Sequence, residues 1–376
     1  MIEPRIPVFQ PYLGPDVRDA ITRALDSGWI SIGSLTYQLE EELARHLELE
    51  DRHVLSLSSG TAALHTAGIL AGLGPGDEVI CPSFTYVACH QAISATGADV
   101  VFSDVEEVTL GLDPSQAAGL VSERTKAIMP VHYAGIPCRI DEVYELATEH
   151  GLRVIEDAAH AFGSRHRERP IGSFGDLVCF SFGPVKVLST LEGGAIVTPS
   201  RDDAQHVREL RILGVDTDRA LRRDDRMWDY DVARQGYKYH LGSIPAAIGL
   251  ANLALLETFI TNRRRYCRLY SERLADIPEV TTPATDFAEV APFIYFIRLP
   301  DAATRAGLVT HLEARGIATG VHFQGAHEFS LYRSCRSGDL STTELLSAQQ
   351  LTLPLHSFMD DGTRERVIEG VRSFFD

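Results

Sequence analysis

The sequence predicts an α/β protein whose mainly parallel sheet lies between layers of helices. Seven short apolar runs of strand length follow one another between residues 54 and 198. Helical patterns fill most of the gaps between them, and strands that alternate with helices form parallel sheets. The last two runs, within 177–198, leave no room for a helix between them, which predicts one antiparallel edge strand. We therefore expect a sheet of the seven-stranded type.

The individual elements follow from local patterns. A helical pattern covers 16–27, and Ser34 caps a second helix whose leucines at 35, 39, 43 and 47 form one apolar face. Strands are expected at 54–57, 78–81, 100–102, 127–131, 153–155, 177–181 and 195–198. The helices between them are expected at 61–73, 86–96, 115–121 and 140–150.

A second, smaller domain is predicted towards the C-terminus. The segment 216–234 is charged and irregular, and 244–274 has the pattern of one long helix with a bend near 261–265. A strand at 293–298 and helices at 304–315 and 367–375 then give the mixture of an α+β domain. We expect a large domain over 1–255 and a small one over 256–376.

Composition excludes several classes of protein. The net charge of −17 and the pI near 5.3 disfavour binding to nucleic acid or to an anionic membrane, because both would repel the chain. Residues 1–9 lack the apolar core of a signal peptide, and no run reaches the length of a membrane span. Six scattered cysteines show neither metal spacing nor a disulfide pattern, so we expect a cytoplasmic protein with no metal.

The scarcity of lysine draws attention to Lys186, one of three lysines in 376 residues. It lies in the loop 181–186, and Asp157 follows what reads as the end of a buried strand. An amine that can form a Schiff base, with an acid that keeps a pyridinium nitrogen protonated, is the minimum equipment for pyridoxal 5′-phosphate. Taken singly, a loop lysine and a helix-capping aspartate are the ordinary explanations, but their combination favours the cofactor.

The phosphate of such a cofactor needs a separate anchor. The turn Ser58-Ser-Gly-Thr61 lies between a predicted strand and a helix, where backbone amides and the helix dipole bind anions. An ordinary helix cap gives the same pattern. Ser181, at the end of another strand, is a second candidate. A flat partner for the ring is expected at Tyr86, with Phe84 as its competitor.

Several ordered motifs resemble one known family over nearly the whole chain. They are the segments 28–33, 59–64, 76–86, 156–163, 180–188, 192–198, 236–241, 246–249, 316–322 and 353–356. In these segments the chain is similar to the DegT/DnrJ/EryC1/StrS family of sugar aminotransferases, within fold type I of the pyridoxal-phosphate enzymes. The resemblance implies a homodimer with shared active sites.

The resemblance also implies roles for individual residues. Lys186 would form the Schiff base and carry protons, and Asp157 would bind the ring nitrogen. Tyr86 would stack on the ring, and His160 would lie near its hydroxyl side. The phosphate would be held by Gly60, Thr61 and Ser181, and His322 and His327 are candidates for the substrate mouth.

The chain departs from the family pattern at three places. Gly183-Pro184 stands where many members have a histidine after the Ser-Phe pair, and His240 replaces the usual arginine. Lys238 stands where many members carry an asparagine that reaches the neighbouring subunit's cofactor. A cation there could bind that phosphate or the diphosphate of a substrate, or it could be a solvated lysine.

The reaction implied is a transamination with pyridoxal 5′-phosphate and its aminated form, pyridoxamine phosphate. Glutamate or glutamine would give its amino group to a nucleotide-linked keto-deoxy sugar, with the 4-keto sugar preferred. Acceptors with a 3-keto group, or keto-cyclitols, are alternatives. Some relatives are sugar dehydratases with histidine in place of the lysine, which Lys186 disfavours. A non-catalytic regulator on the same fold is a further alternative, disfavoured by the intact Lys186–Asp157 pair.

Overall fold

In the computed structural model, which describes residues 5–215, 230–232 and 234–376, one large mixed sheet organises the chain. Its eight strands run in the order β1-β9-β8-β5-β4-β2-β3-β11. Their bounds are β1 His53–Leu57, β2 Glu78–Pro82, β3 Asp99–Ser103, β4 Thr125–Ile128, β5 Arg153–Asp157, β8 Leu177–Ser181, β9 Gly194–Thr198 and β11 Arg336–Ser337. The seven predicted strands are thus present, and a two-residue strand from the C-terminal part extends the sheet.

One strand of the sheet runs against the others. β9 pairs antiparallel with both β8 and β1, whereas β8, β5, β4, β2, β3 and β11 are parallel to one another. An antiparallel strand was predicted at the edge of the sheet. The antiparallel strand β9 is instead the second strand, because β1 pairs with it and forms the edge. Pairing with β9 also makes β1 parallel to β8, so both strands end on the same edge of the sheet.

Successive side chains of the central strands point to opposite faces of the sheet, and helices cover both faces. In β2, Val79 and Cys81 pack in one apolar cluster, while Ile80 between them packs in another on the opposite face. The first cluster includes residues of the helices Gly60–Leu70 and Ala88–Thr96. The second is completed by the helix Ile140–His150. Because both faces are buried, these strands read as nearly continuous apolar runs.

The remaining elements lie before, between and after the strands of the large sheet. The other helices are Pro15–Asp26, Ser34–His46, Pro114–Ala118, Arg201–Leu210, Ser243–Leu253, Leu256–Leu274, Ala302–Ala314, Ser341–Gln349 and Asp361–Phe375, with 3₁₀ turns at Tyr133–Gly135 and Ala326–Glu328. Two small antiparallel pairs join β6 Arg165–His166 to β7 Arg169–Pro170, and β10 Tyr295–Arg298 to β12 Gln350–Leu353.

The long helix predicted over 244–274 bends at a different place from the one predicted. Its two pieces, Ser243–Leu253 and Leu256–Leu274, meet at 60°, so the break lies at residues 254–255 instead of 261–265. Leu256, Phe259 and Ile260 all enter the main core, which fixes the direction of the second piece. The irregular segment predicted at 216–234 lies largely outside the described residues. The division of the chain at residue 255 stays a prediction.

The C-terminal part is tied to the large sheet by buried polar contacts. The carboxylate of Asp104, just after β3, accepts hydrogen bonds from the amides of Thr342 and Thr343 at 2.8 Å each. It also accepts one from the Thr343 hydroxyl at 2.7 Å, and Asp104 is only 4% exposed. A residue of the sheet thus caps the helix Ser341–Gln349. Within the described ranges, no single helix is long and apolar enough to cross a membrane.

Candidate active site

A cavity of about 410 Å³ opens at the edge of the sheet where the parallel strands end. Eight of the ten predicted site residues line it, namely Gly60, Thr61, Tyr86, Asp157, His160, Ser181, Lys186 and His322. They come together because the carboxyl ends of β1, β5 and β8 lie on one edge. The fold therefore brings together residues as far apart in sequence as Gly60 and His322.

The turn after β1 forms a small anion cradle. Ser59 caps the helix Gly60–Leu70, and its hydroxyl accepts a hydrogen bond from the Ala62 amide at 3.0 Å. In the described hydrogen-bond network, this leaves the amides of Gly60 and Thr61 without an intramolecular partner at the helix start, the arrangement that binds phosphate.

Glycine is required at and beside the cradle because there is no room for a side chain. A Cβ atom at Gly60 would lie 2.7 Å from the Ser181 Cβ atom, and one at Gly194 would lie 2.5 Å from the Ser59 carbonyl oxygen. Both distances are shorter than side chains tolerate. Ser181 therefore stands directly beside the free amides, and its hydroxyl completes the set of donors that a phosphate needs.

Asp157 ends β5 with its carboxylate held from two sides. Its Oδ1 atom accepts a hydrogen bond from the Ala159 amide at 2.9 Å, and its Oδ2 atom accepts one from the Cys89 thiol at 2.8 Å. Asp157 is 5% exposed and lines the cavity. A carboxylate fixed in this way suits a cationic ring nitrogen.

Lys186 points its amine into the same space. The Nζ atom lies 4.1 Å from the centre of the Phe293 ring. Burial lowers the pKa of this amine to about 8, and the negative charge of Asp157 opposes part of that shift. An amine with a pKa of about 8 is partly unprotonated at neutral pH, as a nucleophile and a proton carrier must be.

Two histidines beside Lys186 are held neutral. The Nδ1 atom of His160 accepts a hydrogen bond from the Ala134 amide at 3.3 Å, and burial lowers the pKa of His160 well below its usual value. His322 bonds the Thr352 hydroxyl at 2.9 Å, and burial together with the charge of Lys186 lowers its pKa to about 4. Neither imidazole therefore adds positive charge to the cavity at neutral pH.

The choice between the two aromatic candidates is resolved by position. Phe84 is completely buried and its ring packs on Tyr133 at 5.6 Å. Tyr86 is 58% exposed, lines the cavity and lies 5.8 Å from the Phe323 ring. Tyr86 is thus the aromatic side chain of this segment that is available to a ligand, and its stacking on a cofactor ring stays a prediction.

Two predicted residues lie away from the cavity. His327 is not on its wall, since its Nδ1 atom bonds the Ser83 hydroxyl at 2.8 Å and its ring faces Phe102. Lys238 is exposed and pairs with Ile212 in an isolated bridge. The neighbouring Tyr239 carbonyl accepts a hydrogen bond from the Ser58 amide at 2.7 Å, so this segment runs beside the phosphate cradle without placing Lys238 in it.

Other residues at the cavity were not anticipated from the sequence. Phe9, Phe293 and Phe323 form much of its aromatic wall, and Phe9 stacks on Phe293 at 5.5 Å. Cys89, one of the six cysteines without a recognisable pattern, donates a hydrogen bond to the Asp157 carboxylate. These residues carry no local motif, and their distance from one another in sequence left no signal for their association.

The residues present fit pyridoxal phosphate. The glycine cradle offers free amides and a hydroxyl to a phosphate, Asp157 offers a carboxylate to a ring nitrogen, and Lys186 offers an amine of lowered pKa to an aldehyde. These three groups bind chemically different parts of one molecule, and all of them line one cavity. The fold and the cavity together define an enzyme that depends on pyridoxal phosphate.

Comparisons with known proteins agree. A model of the DegT/DnrJ/EryC1/StrS aminotransferase family matches residues 11–372. The solved aminotransferase TlmJ from Streptoalloteichus hindustanus is 32% identical over 98% of each chain, with a TM-score of 0.91. DesV from S. venezuelae is 33% identical over 99% of each chain, with a TM-score of 0.89. The sugar aminotransferase Spr1654 from Streptococcus pneumoniae, in its PMP form, is 26% identical over 98% of each chain, with a TM-score of 0.92.

The chain belongs to the DegT/DnrJ/EryC1/StrS aminotransferase family. Its cofactor is pyridoxal phosphate, and it is a sugar aminotransferase.

Proposed function

We propose that this enzyme transfers the amino group of glutamate, or of glutamine, to a nucleotide-linked 4-keto-deoxy sugar. The observation that carries the proposal is the convergence of Lys186, Asp157 and the cradle at residues 59–61 on one cavity. The family supports the sugar as acceptor, and the resemblance of the motifs supports the nucleotide and the 4-keto group. The identity of donor and acceptor is therefore the part that experiment must test.

Lys186 is the residue to which we assign the proton transfers. Bound pyridoxal phosphate supplies an electron-poor ring that withdraws negative charge from the carbon bearing the amino group. The Nζ atom of Lys186 removes a proton at one carbon and returns it at another, first for the amino donor and then for the keto sugar. A pKa of about 8 leaves both forms of the amine accessible at neutral pH.

The remaining residues hold the cofactor. The amides of Gly60 and Thr61 and the hydroxyl of Ser181 bind its phosphate, and Asp157 binds its ring nitrogen. Tyr86 would stack on the ring. His160 would lie near the hydroxyl side of the ring, where a neutral imidazole can accept or donate a hydrogen bond without disturbing the charge of Lys186.

Recognition of the sugar nucleotide requires more positive charge than the described residues of one chain place on the cavity wall. Among the described residues that line the cavity, Lys186 is the one lysine or arginine. A diphosphate needs further cations, and we assign one of them to Lys238 of a second subunit. His322, on the cavity wall, and His327, behind it, are assigned to the substrate side.

We further propose that the enzyme is a homodimer with shared active sites. Large apolar side chains are exposed near the two N-terminal helices, including Leu25, Trp29, Ile30 and Tyr37, each between 47% and 59% exposed. Several large apolar side chains exposed within one short stretch of sequence support association of subunits. A monomeric mass in light scattering, from a sample that is fully active at the same concentration, would refute the dimer.

We place the enzyme in the cytoplasm, because its six cysteines are all free in the structure. A chain adapted to an oxidising compartment commonly pairs such thiols. Exclusion of the tagged enzyme from the cytoplasmic fraction of its host would contradict this assignment.

Absorbance of the bound cofactor tests the proposed reaction in two steps. Glutamate should bleach the visible band of the purified enzyme, and glutamine is tested in parallel. After the donor is removed, recovery of the band with a nucleotide-linked 4-keto sugar supports the whole proposal. Recovery only with a 3-keto sugar or a keto-cyclitol keeps the enzyme class and overturns the acceptor. Absence of any bleaching with either donor overturns the assignment of donors.

A further inference from the structure

Cys89 lies immediately behind the cavity, in contact with Asp157. It is the second residue of the helix Ala88–Thr96, it is completely buried, and its Sγ atom lies 2.8 Å from the Oδ2 atom of Asp157. Its own amide donates to the Tyr86 carbonyl at 3.3 Å. The turn that presents Tyr86 to the cavity therefore also sets the position of the thiol.

In the hydrogen bond between Cys89 and Asp157, the thiol is the donor and the carboxylate is the acceptor. Burial and the negative charge of Asp157 raise the pKa of the Cys89 thiol well above its usual value. The thiol consequently stays protonated across the neutral range and donates to the carboxylate. The Ala159 amide donates to Oδ1 at 2.9 Å, so each oxygen of Asp157 receives one donor from the protein. Two donors on opposite oxygens fix the rotation of the carboxylate group.

We propose that Cys89 is a positioning residue, whose thiol holds the Asp157 carboxylate in the orientation that binds the ring nitrogen of pyridoxal phosphate. This inference rests on the role that the proposed function gives to Asp157. A thiol is a weaker donor than a hydroxyl or an amide. It therefore orients the carboxylate while leaving most of the negative charge on Oδ2 available to a cationic ring.

Cys179 provides a matched control. It lies beside Asp157 in the sheet, where the two residues are register partners in β8 and β5, and it is 1% exposed. The described contacts include no hydrogen bond from its thiol to the carboxylate. Cys179→Ala and Cys89→Ala thus remove the same atoms from equally buried positions near Asp157, but only the second removes a donor.

Binding of pyridoxal phosphate to the apoenzyme is the primary measurement, by fluorescence titration, with the glutamate half-reaction as a second readout. Cys89→Ala should weaken cofactor binding by about tenfold, since a hydrogen bond to a charged group contributes about that factor. Cys179→Ala should stay within about twofold of the wild type, and Cys89→Ser, which restores a donor, within about threefold. Equal losses in Cys89→Ala and Cys179→Ala overturn the proposal, as does an equal loss in Cys89→Ser and Cys89→Ala.

A double-mutant cycle separates this inference from the role of Asp157 itself. Asp157→Asn is expected to weaken binding on its own, and adding Cys89→Ala to it should then cost little more. If Cys89→Ala costs the same factor in both backgrounds, Cys89 does not act through the carboxylate and the positioning role is refuted. If Asp157→Asn alone binds the cofactor like the wild type, the proposed role of Asp157 fails, and the inference falls with it.

Discussion

The amine of Lys186 lies over the face of Phe293, 4.1 Å from the centre of the ring. The negative face of an aromatic ring favours a cation, as does the negative charge of Asp157. Burial acts in the opposite direction and outweighs them, because the pKa of the amine still falls to about 8. Opposing effects therefore set the pKa of Lys186 close to the neutral range, and each effect can be changed by a separate substitution.

The first prediction concerns the pKa of Lys186. The rate at which the apoenzyme captures pyridoxal phosphate should rise with pH and level off above about 8, since the unprotonated amine is the reactive form. Asp157→Asn removes a charge that raises the pKa of Lys186, so the midpoint should move to lower pH. Stopped-flow absorbance over pH 6–10 measures both curves. A midpoint that moves upward in Asp157→Asn would contradict this account.

Replacement of the lysine tests its role directly. Lys186→Arg should lower transamination by more than about 100-fold, because a guanidinium neither forms the imine nor carries protons at neutral pH. Lys126→Arg is the control, since Lys126 is an exposed lysine on β4. Steady-state rates with glutamate and the keto sugar provide the comparison. Substantial transamination by Lys186→Arg would show that another group transfers the protons.

The phosphate cradle makes a steric prediction. Gly60→Ala would place a methyl group 2.7 Å from the Ser181 Cβ atom, so the turn must shift and its amides with it. Overpacking of this kind costs about 1–3 kcal/mol, and we expect cofactor affinity to fall by about tenfold or more. Gly74→Ala should have no effect, because nothing lies within 4 Å of its Cβ position. Titration of both apoenzymes with pyridoxal phosphate decides the matter, and equal affinities would count against the cradle.

Asp104 makes a prediction about stability. Asp104→Ala leaves two amides and a hydroxyl of the helix Ser341–Gln349 without their acceptor in a buried setting, which should lower the free energy of unfolding by about 3 kcal/mol. Asp301→Ala removes an exposed cap, with one bond to the Thr304 amide at 2.7 Å, and should cost about 1 kcal/mol. Urea denaturation of the two variants measures the difference. Similar losses would mean that burial adds nothing to the Asp104 cap.

The sequence predicted which polar residues and glycines meet at the cavity better than it predicted the aromatic walls. Gly60, Asp157, Ser181 and Lys186 follow strands whose carboxyl ends must meet, so local motifs and one topological rule were enough to bring them together. Phe9 and Phe293 reach the cavity only through the packing of distant segments, which no short pattern encodes.

The errors in the fold have the same origin. The bend at residues 254–255 follows from the entry of Leu256 and Phe259 into the main core, whereas the charged run 261–265 that suggested it simply continues the helix. The position of β9 is likewise set by pairing with β1, which lies about 140 residues earlier in the chain. Lys238 and His327 lie outside the cavity wall of their own chain. The role of Lys238 at a neighbouring subunit's cofactor stays a prediction.

The aromatic wall has a consequence for the order of events during synthesis. Phe323 is translated more than 300 residues after Phe9, yet both face the same cavity. The anion cradle and Asp157 can leave the ribosome and fold within the sheet long before Phe323 has been translated. A growing chain therefore has the residues that anchor the cofactor well before it has the enclosure that excludes water, and a finished site waits until Phe323 has been translated.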